Sequence, residues 1–182
     1  MRTKTDGTIQ TTLDFLRDII ATEMELPEDR VFIYDERAKL PTDKGLFVVL
    51  SYKGAPKVIA NRNIPQTSVS DLSEDQEINM QEIIAIDVMS QNREALERKE
   101  EVLMAINSMY SQGIQEKNSF KIFRNPSIED LSALEGAAML KRYELSVVVF
   151  SWYSKVKLAD YYEKFSAELN TEDETITIPL SS

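Results

Sequence analysis

The 182-residue chain contains neither cysteine nor histidine. Without cysteine there are no disulfides, zinc–thiolate sites, thiol redox chemistry or cysteine nucleophiles. Without histidine, the Ser-His-Asp arrangement, imidazole general-base chemistry and most zinc and iron centres lose their usual residue. Chemistry is left to carboxylates, Lys, Tyr and Ser. Glycine is scarce as well: Gly7, Gly45, Gly54, Gly113 and Gly136 are the full set, and only Gly45 and Gly54 lie near one another. That spacing builds neither a dinucleotide-binding turn nor a phosphate-cradling loop. No stretch approaches the ~18 consecutive apolar residues of a membrane helix. The longest candidate, Leu145 to Trp152, is interrupted by Ser146 and Ser151. Met1-Arg2-Thr3-Lys4 carries some positive charge with no apolar stretch behind it, so no signal peptide is expected.

Positive charge is also in the minority: 21 Lys and Arg stand against 31 Asp and Glu, for a net charge of −10. An acidic surface repels a phosphate backbone, which argues against tight DNA binding. It is compatible with lining a passage through which DNA slides without sticking. Apolar content of 42% is ordinary for a globular protein. The length suits one sizeable core. The expected organisation is a single domain over 1–165, followed by a C-terminal arm over 166–182 suited to pairing with a neighbouring subunit.

Periodicity supplies the elements. Leu13, Leu16, Ile20 and Met24, with Phe15 and Ile19 beside them, predict an amphipathic helix over Ile9–Met24 that stops before Pro27. Val31–Tyr34 reads as a short strand, Asp35–Lys44 as a loop and Leu46–Tyr52 as a strand buried on both faces. Lys53–Pro56 is a turn, with Lys57–Arg62 as the return strand. The Ser-, Thr- and Asn-rich stretch Asn63–Gln76, which contains Pro65, reads as a long connecting loop. Ile78, Met80, Ile84, Ile86 and Val88 share one strand parity, broken by Glu82. Asn92 or Ser90 caps a helix over about Arg93–Tyr110, with Leu96, Val102, Leu103, Ile106, Met109 and Tyr110 on its apolar side and Gly113 as its stop. Phe120–Phe123 is a strand. Ser127-Ile128-Glu129-Asp130 has the form of a helix-start box for a short turn ending near Gly136. Arg142–Val156 is the longest strand, and Lys155–Phe165 reads equally as strand or helix. Thr175–Ile178 is β-prone but too thin in apolar residues to fold alone, so it adds to a sheet edge or stays loose. The fold class expected is α+β, a mainly antiparallel β-sheet packed against two principal α-helices.

Carboxylates are the remaining candidates for chemistry. Asp35-Glu36, Asp71 with Glu74, Asp75 and Glu77, and Glu129-Asp130 fall in loops or at a helix start, where solvated acids are ordinary. Asp87 stands on a strand that ends at a loop, and a single acid makes no site. Glu82 interrupts an apolar parity. It is either an edge or bulge position with its charge in solvent, or a subunit contact pairing with an Arg such as Arg142. Val148, Phe150 and Trp152 make the second face of the last strand apolar, more than two helices can cover. These residues either sit beneath a second layer within the monomer or face another subunit, and the second is expected for part of the surface. No catalytic, cofactor-binding or metal-binding residue is nominated. The interface candidates are Glu82, Arg142, Val148, Phe150, Trp152, Ile176 and Ile178.

The strand carrying Asp87, followed by Asn92-Arg93-Glu94-Ala95 at the start of a long helix, resembles tailed-phage neck proteins. Ser132-Ala133-Leu134-Glu135-Gly136-Ala137-Ala138-Met139-Leu140-Lys141-Arg142-Tyr143 resembles the segment before their final long strand. There a Glu-Gly step and an Arg-Tyr step bracket a small-residue turn. The likeness covers roughly Leu46 to Val156 and is a pattern of packing and turns. It points to the phage tail terminator family, also called tail completion or neck proteins. The resemblance implies a small subunit in a homo-oligomeric ring, commonly a hexamer, with its sheet toward the lumen and its helices outside. Such a ring caps the tail tube protein, ends tube polymerisation and offers a docking surface to the head–tail connector. DNA passes the lumen without specific binding, and neither a cofactor nor a membrane is involved. Localisation would be the virion neck, assembled in the host cytoplasm. The acidic arm and the Asn63–Gln76 stretch depart from the family pattern.

Three other readings stay open. A head-completion or connector protein would sit on the other side of the same joint. A carboxylate-dependent, magnesium-using hydrolase would need Asp87 and two further acids to converge. A soluble adaptor would bind an extended peptide by strand addition.

Overall fold

The computed structural model describes residues 10–34, 41–67, 72–123, 126–135, 138–158, 165–170 and 175–180, with side chains over 10–34, 41–64, 74–123, 126–133 and 139–157. Helix α1 (Thr12–Glu23) opens on a capping box: Asp14 N donates to the Thr11 hydroxyl at 3.3 Å, and Thr11 N donates to the Asp14 carboxylate at 2.8 Å. The reciprocal cap satisfies backbone donors that a helix start leaves unpaired. Its buried residues include Leu13, Phe15, Leu16, Ile19 and Ile20, with Met24 just beyond, which is the predicted stripe. The start predicted at Ile9 lies outside the described residues.

Strands β1 (Val31–Ile33) and β2 (Phe47–Tyr52) pair in parallel, and β2 pairs antiparallel with β4 (Leu72–Ser90). Strand β8 (Ala138–Leu158) lies beside β4, and β5 (Phe120–Ile122) closes the order β1-β2-β4-β8-β5. The expected α+β class with a mostly antiparallel sheet holds, β1–β2 being the parallel exception.

Two long strands organise this sheet, each flanked by interrupted shorter ones. Strand β3 (Lys57–Thr67) also pairs with β4. Lys53 N donates to Ile83 O at 2.8 Å, one step past the Tyr52–Ile84 pair, so the β2 register runs on along β4. On β8, β6 (Ile128–Asp130) and β7 (Ala133–Glu135) keep one register, while β5 is offset from it. From Ile122 to Ile128 the chain takes six steps against four between Val149 and Leu145.

Parity decides what is buried. Ile84, Ile86 and Val88 of β4, Val48 and Leu50 of β2, and Tyr143, Leu145, Val147 and Val149 of β8 join α1 in the main core. Helices α2 (Glu94–Asn107) and α3 (Met109–Lys117) complete that layer, with Val102 and Ile106 fully covered. On the opposite parity, Phe47, Val49 and Met89 form a second buried cluster with Phe32 and Leu140 packed on it. The both-faces-buried reading of Leu46–Tyr52 holds for its first residues.

Several expectations are corrected. The helix predicted over Arg93–Tyr110 ends at Asn107, because Ser108 is extended (ψ 161°) and its hydroxyl accepts from Ser111 N at 3.0 Å to begin α3. Gly113 therefore lies inside α3 and stops nothing. Leu96, Met109 and Tyr110 are exposed, and Ala95 and Ala105 take their place in the buried stripe. The N-cap position of α2 is Arg93, which makes no side-chain capping bond; the two residues proposed as caps lie before it and still satisfy first-turn donors, Glu94 N donating to Asn92 Oδ1 at 2.8 Å and Ala95 N to the Ser90 hydroxyl at 3.0 Å. Residues 63–67 and 72–76 are strand rather than loop, the first within β3 and the second within β4, which pair with each other. Pro65 fits because an edge strand can lose a donor. Ser127–Asp130 starts no helix: Ile128–Asp130 pairs with Tyr143–Leu145, and Asp130 accepts from Ser132 N at 2.9 Å. Of the undecided Lys155–Phe165 stretch, residues 155–158 are strand, 159–164 lie outside the described residues and Phe165 starts β9.

Strands β9 (Phe165–Asn170) and β10 (Thr175–Leu180) pair antiparallel as a separate two-stranded sheet. The chain divides into two compact units, 1–62 with 77–154, and 63–76 with 155–182. The second unit takes in 63–76, which the expected 1–165 domain had included.

Ile86 is fully buried between the helices and the neighbouring strands. Ile86→Ala is expected to cost about 2–5 kcal/mol in urea unfolding, the range for deleting a packed aliphatic side chain.

Candidate subunit interface

Glu82 lies on the helix-facing parity of β4 and is 5% exposed, so its charge is not in solvent. Its Oε2 accepts from the Thr12 hydroxyl at 2.7 Å and the Ser151 hydroxyl at 2.9 Å. The carboxylate thus ties the first turn of α1 to β4 and β8. Hydroxyl donors offset part of the cost of burying an anion, and the N-terminal end of a helix favours negative charge. The pairing with Arg142 that sequence suggested does not form within the chain.

Arg142 bonds Asp87 instead. Its Nε meets Oδ1 at 2.8 Å and its Nη2 meets Oδ2 at 3.1 Å, a two-pronged contact on the face away from the helices. Asp87 is buried while Arg142 is part-exposed. Beside it, Lys53 Nζ donates to Glu144 Oε1 at 2.6 Å and to the Ser146 hydroxyl at 3.2 Å. The Lys53 ammonium, with help from the Ser146 hydroxyl, holds the Glu144 carboxyl below its ordinary value of 4.5.

Apolar groups are also exposed on this sheet. Val148 and Phe150 are half-buried, and Phe150 packs edge-to-face on Phe123 at 5.8 Å. Trp152 is 45% exposed. It lines a cavity of about 330 Å³ with Ala60, Arg62, Glu77, Ile78 and Asn79. Arg62 Nη2 and Glu77 Oε2 close its rim at 2.6 Å. Val58 (61%) and Ile59 (52%), consecutive and therefore on opposite faces of β3, are more exposed still. Ile176 and Ile178 lie on β10 opposite Leu169 and Ala167, with their side chains outside the described residues.

The sequence-nominated residues are therefore not one patch. Val148, Phe150, Trp152 and Arg142 share the outward parity of β8. Glu82 sits on the other side of the sheet. Sequence reading missed Val58 and Ile59, which alternate like a strand with no buried face. It also missed the Asp87–Arg142 pair, although both stand on outward parities of adjacent strands. The magnesium reading needed Asp87 and two more acids to converge. Among the described residues no three of His, Cys, Asp and Glu could hold a metal ion, and Asp87 is committed to Arg142. Asp35-Glu36 and Asp71 lie outside the described residues.

No protein-family model matches this chain, and no curated protein matches it.

Two outcomes follow from the ion pairs. Arg142→Met leaves the buried Asp87 carboxylate without its cation and is expected to cost about 3 kcal/mol in urea unfolding, the low end for breaking a buried pair because Arg142 is part-exposed. Lys53→Met removes a contribution that depends on ionised Glu144. A carboxyl with a lowered folded-state pKa stabilises above its unfolded value and loses that contribution as pH falls through the folded one. The gap in melting temperature between wild type and Lys53→Met should be widest near neutral pH and narrow below about 4.5; a gap constant with pH would assign the effect to packing.

Proposed function

We propose that this chain is a structural assembly subunit and, more narrowly, a ring-forming tail terminator of a tailed phage. In that role it caps the tail tube, ends its polymerisation and presents a docking surface to the head connector. The observation that carries the assembly reading is the exposed apolar set on β3, β4 and β8: Val58, Ile59, Ile78, Trp152 and Tyr153. Scattered single exposures are normal; here Ile78 and Trp152 line one cavity while Val58 and Ile59 put apolar groups on both faces of the adjoining strand, which favours a partner. The absence of cysteine and histidine points the same way, away from common chemistry. The terminator reading rests on the resemblance carried by the Asp87–Ala95 and Ser132–Tyr143 stretches. With its net charge of −10, a ring of these subunits would let DNA pass without holding it.

Sedimentation of the purified chain at micromolar concentration should give a mass several times its 20.8 kDa. Electron microscopy with tail tubes should place rings at tube ends. Depletion of the protein during phage growth should give tails of uncontrolled length; normal tails beside unjoined heads would move the protein to the head side of the joint. A monomer that forms no ring even with tubes present would overturn the assembly reading.

A further inference from the structure

The cavity of about 330 Å³ beside Trp152 is built by three neighbouring strands: Ala60 and Arg62 come from β3, Glu77, Ile78 and Asn79 from β4, and Trp152 from β8. All six belong to the first compact unit. Glu77 and Asn79 share the strand parity of Asp87, and Trp152 that of Arg142, so the cavity lies on the sheet face away from the helices. Its size falls within the range of small-ligand sites, ~300–1,000 Å³.

Two oxygens in the lining lack donors. Asn79 Oδ1 is buried with no hydrogen-bond partner. Arg62 Nε and Nη2 both donate to Glu77 Oε2, at 3.2 and 2.6 Å, and no donor among the described residues reaches Oε1. A buried acceptor is costly to leave unpaired, and folded proteins supply it with a donor from protein, water or ligand. Charge narrows the choice. Asp75 and Glu77 share one parity of β4, and Arg62 is the cation paired with Glu77, in a chain of net charge −10. An indole ring beside carboxylate and amide oxygens suits an organic cation, which the ring face attracts and the oxygens hydrogen-bond. Ala60, Ile78 and Trp152 add apolar surface for a short hydrocarbon stem.

We infer that this cavity binds a small primary ammonium ion carried on an alkyl stem. The ammonium donates to Glu77 Oε1 and Asn79 Oδ1, and the stem lies against Ala60, Ile78 and Trp152. The site lies within one chain and needs no second copy, so it stands or falls apart from the assembly reading.

Trp152 is the only tryptophan of the chain, so its emission reads the cavity directly. The full chain is titrated with n-butylammonium chloride, with sodium chloride holding ionic strength constant, and in parallel with 1-butanol. The expected result is a saturable change in emission whose midpoint for n-butylammonium lies at least about tenfold below that for 1-butanol. Asn79→Leu and Ala60→Leu should each remove the saturable change. Both should keep the wild-type melting temperature, because the Asn79 oxygen has no bond to lose and Ala60 is exposed. Should either variant melt early, Glu77→Gln carries the test and should raise the n-butylammonium midpoint to that of 1-butanol. If 1-butanol binds the wild type as tightly as the ammonium, the cavity takes apolar bulk and the inference is overturned. A change that never saturates, or that survives Ala60→Leu, is collisional quenching and overturns it as well. No change with either probe leaves the cavity to water, and the inference fails.

Discussion

The helix layer is too short for the strands it covers, and most of what is distinctive here follows from that mismatch. Helix α1 has 12 residues, about 18 Å of cover at ~1.5 Å per residue. A strand spans that distance in about six residues, yet β4 has 19 and β8 has 21. On β4 the continuous buried run is Ile84–Ser90, and on β8 the sheltered residues stop at Ser151. Beyond those points, side chains that a longer helix layer would have enclosed reach the surface. Glu82 sits near that limit, with Thr12 from the start of α1 and Ser151 from β8 closing around it.

Parity separates two treatments of buried charge on one strand. Glu82 faces the helices and is held by two hydroxyls, neutral donors that need no counter-ion nearby. Asp87 faces the other way and takes a full guanidinium from the adjacent strand. The first arrangement fixes where α1 begins over the sheet. The second fixes how β4 and β8 lie against each other, because a two-pronged contact tolerates little sliding.

Much of this was legible in the residues. The stripe from Leu13 to Met24 and the shared parity of Ile84, Ile86 and Val88 specified both a helix and the face it covers. Asn92 and Ser90 announced the start of α2. What escaped reading was settled by contacts distant in sequence. Ser127–Asp130 has helix-start chemistry, and the edge of β8 overrode it by offering the backbone a ladder. Asn63–Gln76 looked like a loop because its residues are polar, yet 63–67 and 72–76 belong to β3 and β4, strands that pair with each other. Glu82 could not be placed from its own neighbourhood, since both of its donors lie roughly 70 residues away. Gly113 failed as a stop because the helix had already been interrupted at Ser108.

Trp152 is the single tryptophan of the chain, and it stands just past the last sheltered residue of β8, in contact with solvent. The core around Leu16, Ile20, Ile86 and Leu145 contains no indole. Tryptophan emission from this protein therefore comes from outside the main core, whose one buried Tyr or Trp among the described residues is Tyr143. It reports instead on the solvent-exposed stretch of β8 just past Ser151 and on the cavity that Trp152 lines with Ile78 and Asn79.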